Sequence, residues 1–289
     1  MRLIMKRPIR FSQNFLQSST LVKSLLAKTN ITDKDTVYDI GAGKGIIASA
    51  LSSKCHTVVA VEADYKLVGI LQKNLQDYSN VLVYEGDFLS LPLPKTPYKV
   101  FANIPFNMSA DILHKLVDGN SPPISSYLVV QKEFAKKLTT ERKNYNSQLA
   151  VLLGVQYKVR IIEEINPNNF YPIPKVTSVF LEILKRQSPL VPTQDLQLFR
   201  NFVIYAYNAF KPTVLEALLP IFAKNEFTRA AKDLKFSTNS TPTQLNLRQW
   251  IGLFELALKS RQKLESLVHN YEELLDKKHT TRTKLHRTR

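Results

Sequence analysis

A single cysteine, Cys55, stands in 289 residues. That scarcity excludes an internal disulfide and a multi-cysteine metal site, and Cys55 itself reads as a small buried residue beside a strand. Long apolar runs are also missing. The longest, near Leu149 to Val155, falls far short of the roughly 20 residues a bilayer span needs. Acidic residues are few, 24 against 40 Lys+Arg, and none precedes Asp33. The formal net charge of +16 and pI of about 9.8 favour a polyanionic partner, because each phosphate neutralised releases condensed counterions. RNA, DNA and an anionic membrane surface all satisfy charge alone. The basic start is followed by no apolar core or small-residue cleavage site, so a cytoplasmic protein is the simplest reading. Only eight glycines occur, and three of them fall at positions 41, 43 and 45. There is no internal repeat.

What is present is an alternation of strand and helix signals up to about residue 184. Segments 36–40, 57–61, 81–84, 99–102, 127–130 and 179–184 are short and rich in β-branched or aromatic residues, and read as strands. Helical patterns lie between several of them, as in 64–75 and 109–117. This is the rhythm of a doubly wound α/β sheet. At 289 residues and 44% hydrophobic content, the chain can hold two domains. The stretch 187–193 reads as a linker. After it Phe199, Phe202, Val203, Ala206 and Phe210 recur at helical spacing until Pro212, and Leu247, Trp250, Ile251, Phe254 and Leu258 do so after a capping-box pattern at Thr241 to Gln244. Such spacing points to core packing rather than a base-stacking surface. The expected organisation is an α/β domain with a basic N-terminal arm over 1–186, a small all-helical, RNA-contacting domain over 187–262, and a basic tail over 263–289 that is either a solvated end or an arm ordered by RNA.

Four motifs follow strand-like runs in the first third: Asp39-Ile-Gly-Ala-Gly-Lys-Gly45, Val61-Glu62, Gly86-Asp87-Phe88 and Asn103-Ile-Pro-Phe106. A parallel sheet delivers all four to one rim, where open α/β sheets bind ligands. The glycines allow close approach of backbone to a ligand, but Ile46 stands where a dinucleotide fingerprint wants glycine. Glu62 suits ribose hydroxyls, which a nicotinamide site also needs. Asp87 can accept a hydrogen bond from an adenine amine with Phe88 packed near the ring. Acids around the ligand suit a sulfonium cation better than a pyrophosphate. The rim therefore reads as a site for S-adenosylmethionine beside a pocket for an adenine amine.

Asn103, Ile104, Pro105 and Phe106 have the form amino methylation needs. An adenine N6 lone pair is delocalised into its ring; the Asn103 side-chain oxygen and the Ile104 carbonyl can accept its two N–H bonds and draw the nitrogen toward tetrahedral geometry. Phe106 can stack on a base that has left its helix or loop. Catalysis is then mainly positioning, with no metal and no strong base demanded.

The set Gln13-Asn-Phe-Leu16, Gly41 to Gly45, Glu62, Gly86-Asp87, Asn103 to Phe106 and Phe170-Tyr-Pro-Ile-Pro-Lys-Val176 resembles the ribosomal RNA adenine N6-dimethyltransferase superfamily. That superfamily includes the Erm macrolide-resistance enzymes and the KsgA small-subunit dimethylases. The resemblance runs from about residue 10 to 260. Gly-Lys-Gly, Asn-Ile-Pro-Phe and the short helical domain look like Erm, whereas Gln131-Lys132-Glu133 is similar to KsgA wording. The resemblance implies a Rossmann-like methyltransferase domain with S-adenosylmethionine as cofactor. Asn14 and Leu16 would close over its methionine end, Gly41 and Gly43 contact it through backbone, Glu62 hold ribose beside Ala63, Asp87 and Phe88 take its adenine, and Asn103 touch both cofactor and target amine. Phe106 and Phe170 would sandwich the target base. Lys6, Arg7, Arg10, Lys136, Lys137, Arg142 and Lys143 are the expected RNA contacts. The expected partner is ribosomal RNA, 23S rather than 16S, with no membrane and the chain acting as a monomer; a binding factor that kept the fold without its chemistry is the rival from another class.

Overall fold

The computed structural model describes residues 14–118, 121–139 and 145–272. It contains strands β1 (Phe15–Leu16), β2 (Thr36–Ile40), β3 (Thr57–Glu62), β4 (Val81–Glu85), β5 (Lys99–Asn103), β6 (Ser125–Gln131), β7 (Tyr157–Ile165), β8 (Phe170–Tyr171) and β9 (Ser178–Lys185). The helices are α1 (Ser19–Ala27), α2 (Ile46–Ser52), α3 (Tyr65–Leu75), α4 (Ser109–Asp118), α5 (Lys132–Lys136), α6 (Gln148–Gln156), α7 (Leu196–Asn208), α8 (Val214–Leu218), α9 (Lys224–Asp233), α10 (Leu247–Ala257) and α11 (Arg261–Val268). The chain divides into two compact units, one comprising residues through Lys136 together with Arg160–Lys185, the other Lys137–Val159 together with residues from Arg186 onward.

The first unit is built on a seven-stranded sheet of order β4-β3-β2-β5-β6-β9-β7. Strands β2 to β6 pair in parallel and β9 runs antiparallel to β6. All six strands expected from the sequence are present. The central ones, Lys-Val-Phe-Ala-Asn in β5 and Ser-Ser-Tyr-Leu-Val-Val-Gln in β6, are buried almost end to end, as strands covered on both faces must be. Edge strand β4 leaves Leu82 and Tyr84 exposed. Helix α3 starts at Asp64, whose carboxylate accepts the Lys66 N–H at 2.9 Å, and turns Val68, Leu71 and Leu75 inward at helical spacing. Val37, Val58, Ala60, Leu71, Phe101, Tyr127 and Phe180 form the core. Each buried Val, Leu or Phe among them contributes about 1.5–3 kcal/mol. Cys55 is buried as expected; its thiol faces the Leu51 carbonyl at 3.2 Å and is pushed up to about 11 by burial and then by the Asp35 charge.

Strand β7 escaped the sequence pattern because charged residues interrupt it. They are absorbed by ion pairs: Glu163 with Lys28 at 2.5 Å, Arg160 with Glu182, and Glu164 with Lys132. Strands β1 and β8 are also absent from the sequence reading. At two residues each they form a separate antiparallel pair, Phe15 opposite Tyr171 and Leu16 opposite Phe170.

The second unit is helical, and three of its boundaries differ from expectation. Helix α6 belongs to it, although the sequence placed residues 137–159 in the α/β domain. Ala150 to Val155 are buried without a break, so this apolar run is a helix covered on all sides rather than one face of a sheet layer. At the other end α11 carries the fold beyond residue 262: Leu264 and Val268 are fully buried, so the expected tail does not begin at 263. The Thr241 box closes only the 3-10 turn Pro242–Gln244; α10 starts from a second box in which Asn246 and Gln249 satisfy each other's backbone N–H groups at 2.9 and 3.0 Å. The aromatic stripe is core as expected, with Phe199, Phe202, Trp250 and Phe254 buried. Phe210 is the exception. Helix α7 ends at Asn208, and Phe210 is 93% exposed with φ +52°. Among the described residues no helix is long and apolar enough to cross a membrane.

Candidate active site at the carboxyl edge of the sheet

The glycine loop, Glu62, Asp87 and Asn103 lie at or just past the carboxyl ends of β2, β3, β4 and β5, as the motif order requires. With β3 and β2 between them, the β4 and β5 lines stand three strand spacings apart, roughly 14 Å at about 4.8 Å each. The loop after β2 is held from β3. Gly41 and Ala42 N–H groups donate to the Val61 carbonyl at 2.8 and 3.0 Å, and Gly43 N–H donates to Glu62 Oε2 at 2.8 Å. Two glycines there are obligatory. At Gly43 (φ +58°) an added Cβ meets the Phe15 ring at 2.9 Å, and at Gly45 (φ +91°) it meets Leu71 at 2.9 Å.

Glu62 is 2% exposed and its second oxygen accepts the Asp64 N–H at 2.9 Å. Its first task is therefore to brace the loop, and each oxygen retains a further lone-pair site. Asp87 is exposed; its Oδ1 accepts the Leu89 N–H at 2.9 Å, which closes the turn after β4. Phe88 is buried beneath it, and Ala63 is exposed between Glu62 and Asp64.

Two residues to which the sequence assigned no role stand at this rim. Lys115 on α4 donates to the carbonyls of Phe88 (2.5 Å), Leu89 (2.9 Å) and Leu91, and its ammonium lies 4.9 Å from the Phe88 ring centre. Burial lowers its pKa, with the Asp87 charge opposing that shift. Asp39, inside β2, is 1% exposed; the Ala48 backbone N–H faces its carboxyl, but neither oxygen has a partner in good hydrogen-bond geometry. Burial, reinforced by the Glu62 charge, raises its carboxyl well above the usual carboxylate range. The motif contained Asp39, but only the fold shows it to be a buried acceptor.

Asn103 ends β5 with its amide fixed in one sense. Nδ2 donates to the Asn14 carbonyl at 2.8 Å, whereas Oδ1 is buried and has no partner. The turn behind it is rigid. Ile104 is buried, and the Pro105 carbonyl accepts from Met108 N–H (3.0 Å) and Ser109 Oγ (3.2 Å), starting the 3-10 turn that leads into α4. Phe106, half-buried, joins Asn14, Phe15, Gly41 and Asn103 to Pro105 around a cavity of about 20 Å³. That is room for about one water and not for a nucleobase ring. A larger cavity of about 560 Å³ adjoins it, sharing Phe15, Gly41 and Asn103 and adding Leu16, Lys44 and Tyr171. This is the size class of small-molecule sites. Among the described residues Glu62, Asp87 and Phe88 are not in that wall.

Phe170 does not present the stacking ring expected of it. It is 2% exposed and packs in the core with Leu16, Ile165 and Phe180. Alternation in the β1–β8 pair is the cause: the Leu16–Phe170 rung faces inward, which turns the Phe15–Tyr171 rung toward the cavity. Among the expected RNA contacts, Lys137 is exposed, and Lys136 pairs with Glu133 at 2.5 Å. Lys6, Arg7, Arg10, Arg142 and Lys143 lie outside the described residues.

An unsatisfied amide oxygen on a cavity walled by the glycine loop fits a donor-rich ligand such as S-adenosylmethionine together with an exocyclic amine; Asp39 lies outside that wall. The comparisons agree. The family model described as ribosomal RNA adenine dimethylase matches residues 4–259. An "rRNA adenine N-6-methyltransferase" of Limosilactobacillus reuteri is 33% identical over 250 residues, 86% of this chain and 96% of that protein. A "Ribosomal RNA small subunit methyltransferase A" of Synechococcus sp. (strain JA-3-3Ab) is 29% identical over 268 residues, 89% of this chain and 95% of that one. The crystal structure of the 23S rRNA methyltransferase ErmE superposes with a TM-score of 0.78 at 22% identity, covering 84% of this chain and 98% of that one, and so shares the fold. The chain belongs to the ribosomal RNA adenine dimethylase family: it is an S-adenosylmethionine-dependent rRNA adenine N6-methyltransferase.

Proposed function

We propose that this protein methylates N6 of one adenine of 23S rRNA in the cytoplasm and thereby confers resistance to macrolides, lincosamides and streptogramin B. The observation that carries the chemistry is the Asn103 amide. With Nδ2 committed to the Asn14 carbonyl, Oδ1 is the end left to accept an N–H, and its burial makes an unmatched acceptor costly. Oδ1 and the Ile104 carbonyl take the two N–H bonds of the target amine and localise its lone pair; Phe106 stacks on the extruded base. Bound S-adenosylmethionine supplies the methyl group from its sulfonium. Gly41, Gly43, Glu62 with Ala63, and Asp87 over Phe88 hold its nucleoside, and Asn14, Leu16 and Asp39 hold its amino-acid end. No group of high basicity is required, because the methylated amine releases its proton to solvent. Lys6, Arg7, Arg10, Lys137, Arg142 and Lys143 take RNA phosphates, so neutralising them weakens binding and flattens its dependence on salt.

The large-subunit target is supported by Gly43-Lys-Gly45 and the Asn103 motif wording, and by relatives named rRNA adenine N-6-methyltransferase. A small-subunit target is the second reading, favoured by Gln131-Lys132-Glu133 and by the Synechococcus relative. Expression in a macrolide-sensitive host followed by mapping of N6-methylated adenines separates them. Methylation of a large-subunit adenine with raised macrolide tolerance is expected. A mark confined to the small subunit overturns the first reading in favour of the second, and no mark on either subunit overturns both.

A further inference from the structure

Phe210 is the most exposed aromatic ring among the described residues of the second unit. Phe199, Phe202, Phe222, Phe227, Trp250 and Phe254 are sealed in the core, whereas Phe210 is 93% exposed. It also adopts φ +52°, a left-handed conformation that is an outlier for a bulky L residue. Its place explains the conformation: α7 ends at Asn208, Ala209 caps it, and the next residue is where helices ordinarily use glycine. Nothing in the core rewards a phenylalanine there. Pro212 adds a second constraint, since the residue before a proline avoids the helical region and the chain must leave α7 at this point.

The turn that carries this ring continues into the exposed Lys211 and is anchored by polar side chains. Asn208 Nδ2 donates to Gln148 Oε1 at 2.8 Å, and Tyr207 Oη donates to the Asn146 carbonyl at 2.8 Å. Ser147, the cap of α6, donates to the Lys137 carbonyl. These bonds tie the end of α7 to the start of α6, and that start to the Lys137 backbone; Lys137 and Lys211 are exposed, and Tyr145 and Leu149 at the start of α6 are 47% and 38% exposed. An apolar protein partner wants a ring of apolar neighbours, and the residues flanking this ring in the chain, Asn208, Lys211 and Thr213, are polar. An unpaired base flanked by phosphates fits: a ring open on both faces stacks on any base, and lysines beside it meet the backbone.

We propose that Phe210 is a stacking contact for an unpaired base of the rRNA substrate, with Lys137 and Lys211 on the adjoining phosphates. The proposal rests on the rRNA reading above, but it concerns the helical unit and not the methylation rim. A ring kept in a strained backbone for binding gives a distinctive trade. Phe210→Gly relieves the conformation and raises the melting temperature by about 2–4 °C. The same variant weakens binding of the full chain to protein-free rRNA about tenfold, while S-adenosylmethionine binding is unchanged. Phe210→Trp retains the affinity, and Phe210→Asn, which tolerates the left-handed region, repeats the glycine result. Wild-type affinity in the glycine and asparagine variants overturns the proposal. A defect seen with ribosomal particles but not with protein-free rRNA overturns it too, in favour of a protein contact. Wild-type protein that neither binds nor methylates rRNA overturns the substrate reading, and this inference with it; methylation by wild type with normal binding by the variants removes this inference alone.

Discussion

In the helical unit, Phe199 meets Phe254 edge-on at 5.2 Å and Phe202 meets Trp250 at 6.0 Å, in a core that excludes water. At the sheet rim, Phe15, Phe106 and Tyr171 keep part of their surface open on cavities whose walls include Asn103, the amide oxygen of which has no partner. The same residue types serve packing in one region and line an open cavity in the other. A ring with matched neighbours stabilises the fold, whereas a ring beside unmatched acceptors stabilises whatever supplies the missing donors.

Substitutions can break this contrast, and the largest effect belongs to the rim. Asn103→Ala removes the free acceptor and should lower kcat/KM for rRNA by about 10²–10³-fold, the range for losing one preorganised polar group, with the melting temperature little changed. Equal loss of activity and of folding would return Asn103 to the status of a strand cap. Trp250→Ala is the converse case. It should cost about 3–5 kcal/mol in denaturant unfolding of the helical unit while S-adenosylmethionine binding to the rim persists at temperatures where the chain is folded. Phe106→Leu should reduce rRNA methylation about tenfold and Phe106→Tyr should not, because stacking needs only the ring.

A smaller and pH-dependent effect sharpens the comparison further. The Asp39 carboxyl is raised well above the unfolded value of 3.8 by burial and by Glu62, so between the two values the folded state holds the extra proton. Stability contributed by this group is therefore complete below about pH 3.8 and declines as pH rises through the folded value. Asp39→Asn, neutral at every pH, should melt about 2–4 °C above wild type at pH 7, with the gap closing toward pH 4. Its expected loss of S-adenosylmethionine affinity, measured by titration calorimetry, would mark Asp39 as a rim group retained for binding at a cost in stability.

Much of the rim was legible because its signals are local. Glycines at 41, 43 and 45 are forced by loop conformation and by Phe15 and Leu71 approaching them, and strand ends announce themselves by the switch from apolar runs to Glu62, Asp87 and Asn103. Asp39 and Lys115 were not legible as site residues, since burial and contact with distant carbonyls leave no mark on neighbouring sequence. Strand β7 hid behind charges whose partners lie far along the chain, such as Lys28. Phe170 and Phe210 show the same limit from opposite directions: one was expected to be open and is buried by strand alternation, the other was expected to be core and is turned out where its helix ends two residues earlier.

Sequence alone determined the α/β alternation, the four motifs at the strand ends and the class of chemistry, because each depends on short-range spacing and side-chain type. Tertiary structure alone decided that Asn103 has its oxygen free, that Tyr171 rather than Phe170 faces the cavity, that α6 belongs with the helices, and that Phe210 is exposed. Those outcomes turn on which groups find partners across the fold. Pairing between residues as far apart as Asn14 and Asn103 is a property of the packed chain and of no segment within it.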